Sequence, residues 1–152
     1  MGNFYVEILQ RHPLSNSVNR IADLTLLEPN VRRKVLKIVE EAAGHGVEFR
    51  VFETYRSEAR QTALFKQGVT ELRVVGVHHY GLACDLVRVV DGRLDWDADY
   101  SLLGHLARAH GLVWGGDWPH LRDEPHVQWC KVSDQARLFA GSWYPGAGYE
   151  AT

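Results

Sequence analysis

The chain has 152 residues, 45% of them hydrophobic and 24% charged, a size and composition that suit one globular domain with its own core. A formal net charge of -2 argues against a nucleic-acid partner held by phosphate neutralisation. No apolar run reaches the roughly 18 residues that a membrane span needs, and no cationic start precedes a long apolar stretch. The expectation is a single domain over residues 1–152, without membrane insertion or a second appended domain, made in the cytoplasm as a monomer.

In chain order, Phe4, Val6 and Ile8 alternate with Tyr5, Glu7 and Leu9, which predicts a short strand. Residues 13–28 read as a loop. From Pro29 to Ala43 the residues Val31, Val35, Ile38, Val39 and Ala42 share a helical face, with Pro29 suited to the first turn and Gly44 and Gly46 ending it. Val47, Phe49 and Val51 alternate in a strand that runs into Tyr55 and Arg56. Ser57 caps a second helix with Ala59, Ala63 and Leu64 inside, stopped at Gly68, and residues 69–77 are a connection.

Leu82 to Val90 reads as a buried strand, turned by Asp91-Gly92, with a return around Arg93 to Trp96. Asp97 or Asp99 caps a third helix lined by Leu102, Leu103, Leu106 and Ala109. Residues 111–122 read as loop, His126 to Cys130 as a strand, Ser133 to Ala140 as a last helix, and 141–152 as irregular. Helices gather early and strands follow, so the class is α+β with a small, mostly antiparallel sheet. Only two cysteines occur, Cys84 and Cys130, without a CxxC pair, and two reduced thiols are expected.

Three short pieces carry the chemistry. His78 and Asp85 lie in His-His-Tyr-Gly-Leu-Ala-Cys-Asp, and His126 lies in Asp-Glu-Pro-His-Val-Gln-Trp. Two imidazoles and a carboxylate are a ligand set for a divalent metal, and zinc with one position left open hydrolyses amides. His78 and Asp85 are seven positions apart, too far for one helical turn, but a loop entering a strand can join them, with Gly81 allowing the turn. An arbitrary set of two His and an Asp is more often surface or hydrogen-bonded, so spacing alone does not decide.

Asp123, three residues before His126, is a carboxylate placed to take a proton from an activated water; its neighbour Glu124 is the rival candidate. Arg56, in Thr-Tyr-Arg-Ser, could hold a substrate carboxylate or a developing oxyanion, although pairing with Glu58 is the plainer reading. His79, His105, His110 and His120 are taken as non-ligands.

The pattern His78-x-x-Gly81-x-Ala83-x-Asp85 followed by Asp123-x-x-His126 resembles the zinc peptidases of the D-alanyl-D-alanine carboxypeptidase type, which include phage L-alanyl-D-glutamate endopeptidases. Two further segments match, from Thr54-Tyr-Arg-Ser to Lys66-Gln-Gly and from Gly111-Leu-Val-Trp to Asp117-Trp, so the likeness spans about residues 20–130. The resemblance implies one zinc ion on His78, Asp85 and His126, Asp123 as general base and Arg56 as oxyanion or substrate group. It also implies hydrolysis of peptidoglycan stem peptides, either at L-Ala–D-Glu as in a phage lysin acting on the wall after release, or at the terminal D-Ala–D-Ala. Many relatives carry Ser where this chain has Gly76, which bears on fine substrate contacts.

Two other classes compete. A metal-bearing binding module without catalysis would lack the base, yet Asp123 is present. A non-haem iron oxygenase also uses two His and a carboxylate, but places the first His and the acid one residue apart.

Overall fold

The computed structural model describes residues 2–70 and 75–152. Five strands, β1 (Glu48–Glu53), β2 (Ala83–Val90), β3 (Arg93–Asp95), β4 (Val113–Trp114) and β5 (His126–Gln128), form one antiparallel sheet in the order β1-β2-β5-β4. β3 pairs with the far end of β2, beyond β5. Four α-helices, α1 (Pro29–Gly44), α2 (Glu58–Lys66), α3 (Ser101–Ala109) and α4 (Gln135–Phe139), complete the expected α+β class.

β2 is the centre of this arrangement, and its two faces differ. Cys84 and Leu86 turn into a core shared with Phe49, Val127 and Trp114 of the sheet, Val31, Val35 and Ile38 of α1, and Leu103 and Leu106 of α3. Asp85 alternates to the opposite face, as the pleat requires. There it lies in register with His126 of β5 and with Glu53 of β1.

Local chemistry explains the helix ends. The Glu28 side chain caps α1 by accepting from the Asn30 and Val31 amides, ahead of Pro29 in the first turn. Ser57 caps α2 as expected, accepting from Arg60 N at 2.9 Å, and its own hydroxyl donates to Ser17 O. For α3, neither Asp97 nor Asp99 is the N-cap: that position is Tyr100, without a side-chain cap, and Asp99 just before it accepts from Ser101 N at 2.8 Å.

Several expectations need correction. Residues 4–9 are helical, with a π turn over Tyr5–Leu9, because Asn3 accepts from the Val6 amide and Leu9 drops into a small cluster with Ile21, Leu26 and Tyr55. Val6 and Ile8, expected in a strand, are exposed. In α2, Ala59 and Ala63 are only half-buried, and Gln61 joins Leu64 inside. In α3, Ala109 is exposed, and Gly104 and Ala107 pack in its place, with Gly104 against the Trp114 ring. Residues 111–122 are not all loop, since β4 forms an edge of the sheet and a 3-10 turn at Gly115–Asp117 follows it. The expected strand to Cys130 stops at Gln128, and the last helix begins as a 3-10 turn at Val132–Asp134.

Part of the 69–77 connection, residues 71–74, lies outside the described residues. Cys84 and Cys130 are both free and buried. Among the described residues no helix is long and apolar enough to cross a membrane.

Candidate metal centre

The three predicted ligands converge. His78 sits on a 3-10 turn, Val77–Tyr80, that closes at Gly81 with φ +74°. A side chain at residue 81 would meet Leu9 Cδ1 at 2.9 Å and Leu26 O at 3.1 Å, so both the backbone angle and the close approach call for glycine. The turn delivers the His78 ring over β2, while Asp85 and His126 are cross-strand partners.

His78 Nε2 lies 3.2 Å from Asp85 Oδ1, and His126 Nδ1 lies 3.3 Å from the same oxygen. The three donor atoms fall within 4.8 Å of one another. Tetrahedral zinc with ligands at about 2.05 Å spaces neighbouring donor atoms by about 3.3 Å, so the two contacts to Asp85 fit such an ion. His78, Asp85 and His126 could therefore hold a divalent metal.

The outer nitrogens of both rings are also fixed. His78 Nδ1 is 2.8 Å from Thr54 O, a carbonyl that can only accept, so Nδ1 carries the proton and Nε2 presents its lone pair inward. His126 Nε2 is 2.8 Å from Gln128 Oε1. The Gln128 amide donates from Nε2 to Cys130 O at 2.7 Å and to Gln135 Oε1 at 2.9 Å, which leaves its oxygen to face His126. His126 therefore donates from Nε2, and its Nδ1 is the nitrogen that faces Asp85. Gln128 was not foreseen from sequence, although its position two residues after His126 on a strand places both on one face.

The side chains form a tightly coupled charge cluster. Burial alone would raise the Asp85 carboxyl, but His78 and His126 outweigh it and hold Asp85 well below the usual carboxylate range. Burial likewise lowers His126, yet the Asp85 hydrogen bond and the Asp123 charge raise it above the ordinary imidazole value. Asp123 is pushed up, first by burial and then by the Asp85 charge, against the pull of His126.

Asp123 stands beside the three-residue cluster, with Oδ2 3.8 Å from His126 Nδ1 and its side chain half-exposed. Its backbone is tied down: Asp123 N donates to Gly115 O at 3.1 Å, and His126 N donates to Asp123 O at 3.1 Å. A Cβ at residue 115 would come within 2.2 Å of Asp123 O, so glycine there lets the 3-10 turn lie against the loop. The rival Glu124 is held through its backbone, whose carbonyl accepts from Trp114 Nε1 at 2.6 Å.

Arg56 also reaches the cluster. Its Nη2 is 2.8 Å from Glu53 Oε1 and 3.6 Å from Asp85 Oδ2, and its Nη1 donates to Gln61 Oε1 at 3.2 Å. The partner is thus the buried Glu53, not Glu58, and Glu53 also binds Arg60 at 3.0 Å. Arg56 Nε has no hydrogen-bond partner among the described residues. Glu53 and Gln61 went unread because a buried acid at a strand end and a buried amide inside a helix look, in sequence, like surface residues.

The other histidines stand apart. His79 meets Tyr5 Oη at 2.9 Å and Arg56 O at 3.2 Å, His110 pairs with Glu41, and His105 and His120 are exposed. Gly76 caps the His78 turn through its carbonyl, which accepts from His79 N at 3.1 Å.

A family model described as D-alanyl-D-alanine carboxypeptidase matches residues 73–129. The chain is 29% identical over 135 residues to the peptidoglycan L-alanyl-D-glutamate endopeptidase CwlK of Bacillus subtilis (strain 168), covering 74% of this chain and 81% of that protein. It is 30% identical over 116 residues to the L-alanyl-D-glutamate peptidase of Listeria phage A118, covering 74% of this chain but only 39% of the phage protein.

Among solved structures, the L-Ala D-Glu endopeptidase ChiX of Serratia marcescens superposes with a TM-score of 0.58 at 28% identity, over 74% of this chain and 90% of that one. A mutant of the vancomycin resistance D,D-pentapeptidase VanY, in complex with Zn(II), shares the fold with a TM-score of 0.55 at 16% identity, over 75% of this chain and 78% of that one. By sequence and by fold, the chain is similar to the D-alanyl-D-alanine carboxypeptidase and L-alanyl-D-glutamate endopeptidase group of metallopeptidases.

Proposed function

We propose that this protein is a zinc peptidase that hydrolyses the stem peptides of bacterial peptidoglycan at the L-Ala–D-Glu bond. The observation that carries the reading is the convergence of His78, Asp85 and His126 with Asp123 3.8 Å from His126. The likeness to L-alanyl-D-glutamate peptidases of a Bacillus and a Listeria phage supports the choice of bond. His78, Asp85 and His126 would hold one zinc ion. Bound there with an open position, zinc supplies Lewis acidity to the scissile carbonyl and to water.

The chain's own residues do the rest. Asp123 accepts a proton from the attacking water, whose oxygen adds to the amide carbon. Arg56, braced by Glu53 and Gln61, offers positive charge to the substrate carboxylate or to the oxyanion as it develops. When the carbon–nitrogen bond breaks, Asp123 returns the proton to the departing amine. Residues 1–152 act as one catalytic domain and as a monomer, on a wall peptide reached after release from the cytoplasm.

Mass spectrometry of products from intact wall material tests this. Stem fragments beginning at D-Glu are expected with zinc and none after chelation. Release of terminal D-Ala alone would move the cut to the carboxypeptidase position. No hydrolysis, or hydrolysis unchanged in Asp123→Ala, would overturn the reading.

A further inference from the structure

An exposed aromatic platform adjoins the site on the same face of the sheet. Of the five tryptophans, Trp96 is the most exposed, at 48%. Its ring meets Phe52 edge-on, with centroids 4.7 Å apart and planes at 86°. Arg20 covers Phe52 at 4.3 Å from the ring centroid and donates from Nη1 to Phe52 O at 2.6 Å.

The topology locates these rings. Phe52 is the extra residue of a bulge in β1, between Val51, which pairs with Leu86, and Glu53, which pairs with Asp85. Trp96 follows β3, on the other side of β2. The two rings therefore meet across β2. The helix-covered face holds neither ring in its core, so they cross on the face of Asp85. Val87, the next residue on that face, is fully buried. The platform thus lies two residues along β2 from Asp85, about 7 Å at the usual rise per residue.

We infer that Trp96, backed by Phe52 and Arg20, is a subsite for the amino sugar of the wall glycan to which the stem peptide is attached. This rests on the reading that the site cuts stem peptides. The early residues of such a stem are small or acidic and have no large apolar surface to lay on an indole. The pyranose ring does, since its axial C–H bonds form an apolar face edged by hydroxyls and an acetamido group. An L-Ala–D-Glu bond lies one residue from the sugar, and one extended residue spans about 3.5 Å, so the sugar must settle close to the metal cluster. A tryptophan held by a ring on one strand pair gives that contact with little loss of side-chain freedom.

The test separates sugar from peptide. Peptide-free glycan strands, prepared by amidase digestion of sacculi, are titrated into the wild-type chain, Trp96→Ala, Trp96→Phe and Arg20→Ala, with Trp fluorescence and sedimentation as readouts. Cleavage of glycan-linked and of sugar-free stem peptide is measured in parallel. The inference expects glycan binding by the wild type and at least a tenfold loss in Trp96→Ala. It expects a smaller loss in Trp96→Phe and Arg20→Ala, and sugar-free peptide cleaved within about twofold of wild type by all. Absence of glycan binding by the wild type overturns it, as does equal binding by Trp96→Ala or an equal loss on both substrates. Glycan binding through Trp96 in a chain that cuts no stem peptide would sink the peptidase reading and leave the subsite standing.

Discussion

The two faces of β2 carry opposite investments. Cys84 and Leu86 look toward the helices and are sealed in an apolar core, whereas Asp85, one residue between them, looks into a cluster of charge and hydrogen bonds. The apolar face gains its stability from area removed from water and tolerates swaps that conserve volume. The polar face does the reverse: it keeps two imidazoles and a carboxylate desolvated and aimed at one point, an arrangement that becomes favourable when a cation joins it. A single strand with period two thus separates folding from chemistry.

Changes that strike one face should leave the other intact, and they can be ranked. The largest effect is expected from His126→Ala, which should abolish hydrolysis. It should also remove the zinc-dependent rise in unfolding free energy, about 2.7 kcal/mol at a hundredfold excess over Kd, read by thermal melts with and without metal. Asp123→Asn should lower kcat by roughly 10²–10⁴-fold while zinc still raises the melting temperature, because the proposed reading makes Asp123 the base and not a ligand. If zinc binding vanished with it, the division of roles would be wrong.

On the opposite face, Leu86→Ala should cost about 2–5 kcal/mol in denaturant unfolding and leave zinc affinity unchanged once folded. Loss of zinc binding in that variant at low denaturant would show that the faces are not separable. Gln128→Leu is a milder, sharper probe. It removes the acceptor that fixes the His126 tautomer and should weaken zinc roughly 10–100-fold in a competition titration, with little change in the metal-free melt.

The smallest effect concerns the thiols. Burial pushes Cys130 up to about 12 and Cys84 well above its ordinary value. Neither should react with a thiolate-selective reagent at pH 8 until the chain is denatured. Because the unfolded thiols ionise near about 8.5, stability should fall as pH climbs from there toward 12.

The outcome for the sequence reading follows the same divide. Periodicity located α1 and the cores of β1, β2 and α3, since each buries a regular stripe. It failed at residues 4–9, where Val6 and Ile8 are apolar but exposed and Leu9 alone reaches a core. It failed again at β4, which has only Val113 and Trp114 and is held by β5 rather than by its own pattern. The ligand candidates were legible because two His and an Asp sit among glycine and proline in a recognisable spacing, and the structure brings those three together.

What surrounds them was not legible. Local sequence by itself determined the caps, the turn at Gly81, the alternation that points Asp85 away from Leu86, and the residue types able to hold a metal. Each depends on backbone angles or on neighbours within a few positions. Only the tertiary structure decided that Thr54 O and Gln128 orient the imidazoles, that Glu53 rather than Glu58 braces Arg56, and that Phe52 and Trp96 meet across β2. Thr54 reaches His78 and Phe52 reaches Trp96 across the fold, whereas Gln128 and Glu53, only two and three positions from His126 and Arg56, take their roles from the burial that the fold imposes on them.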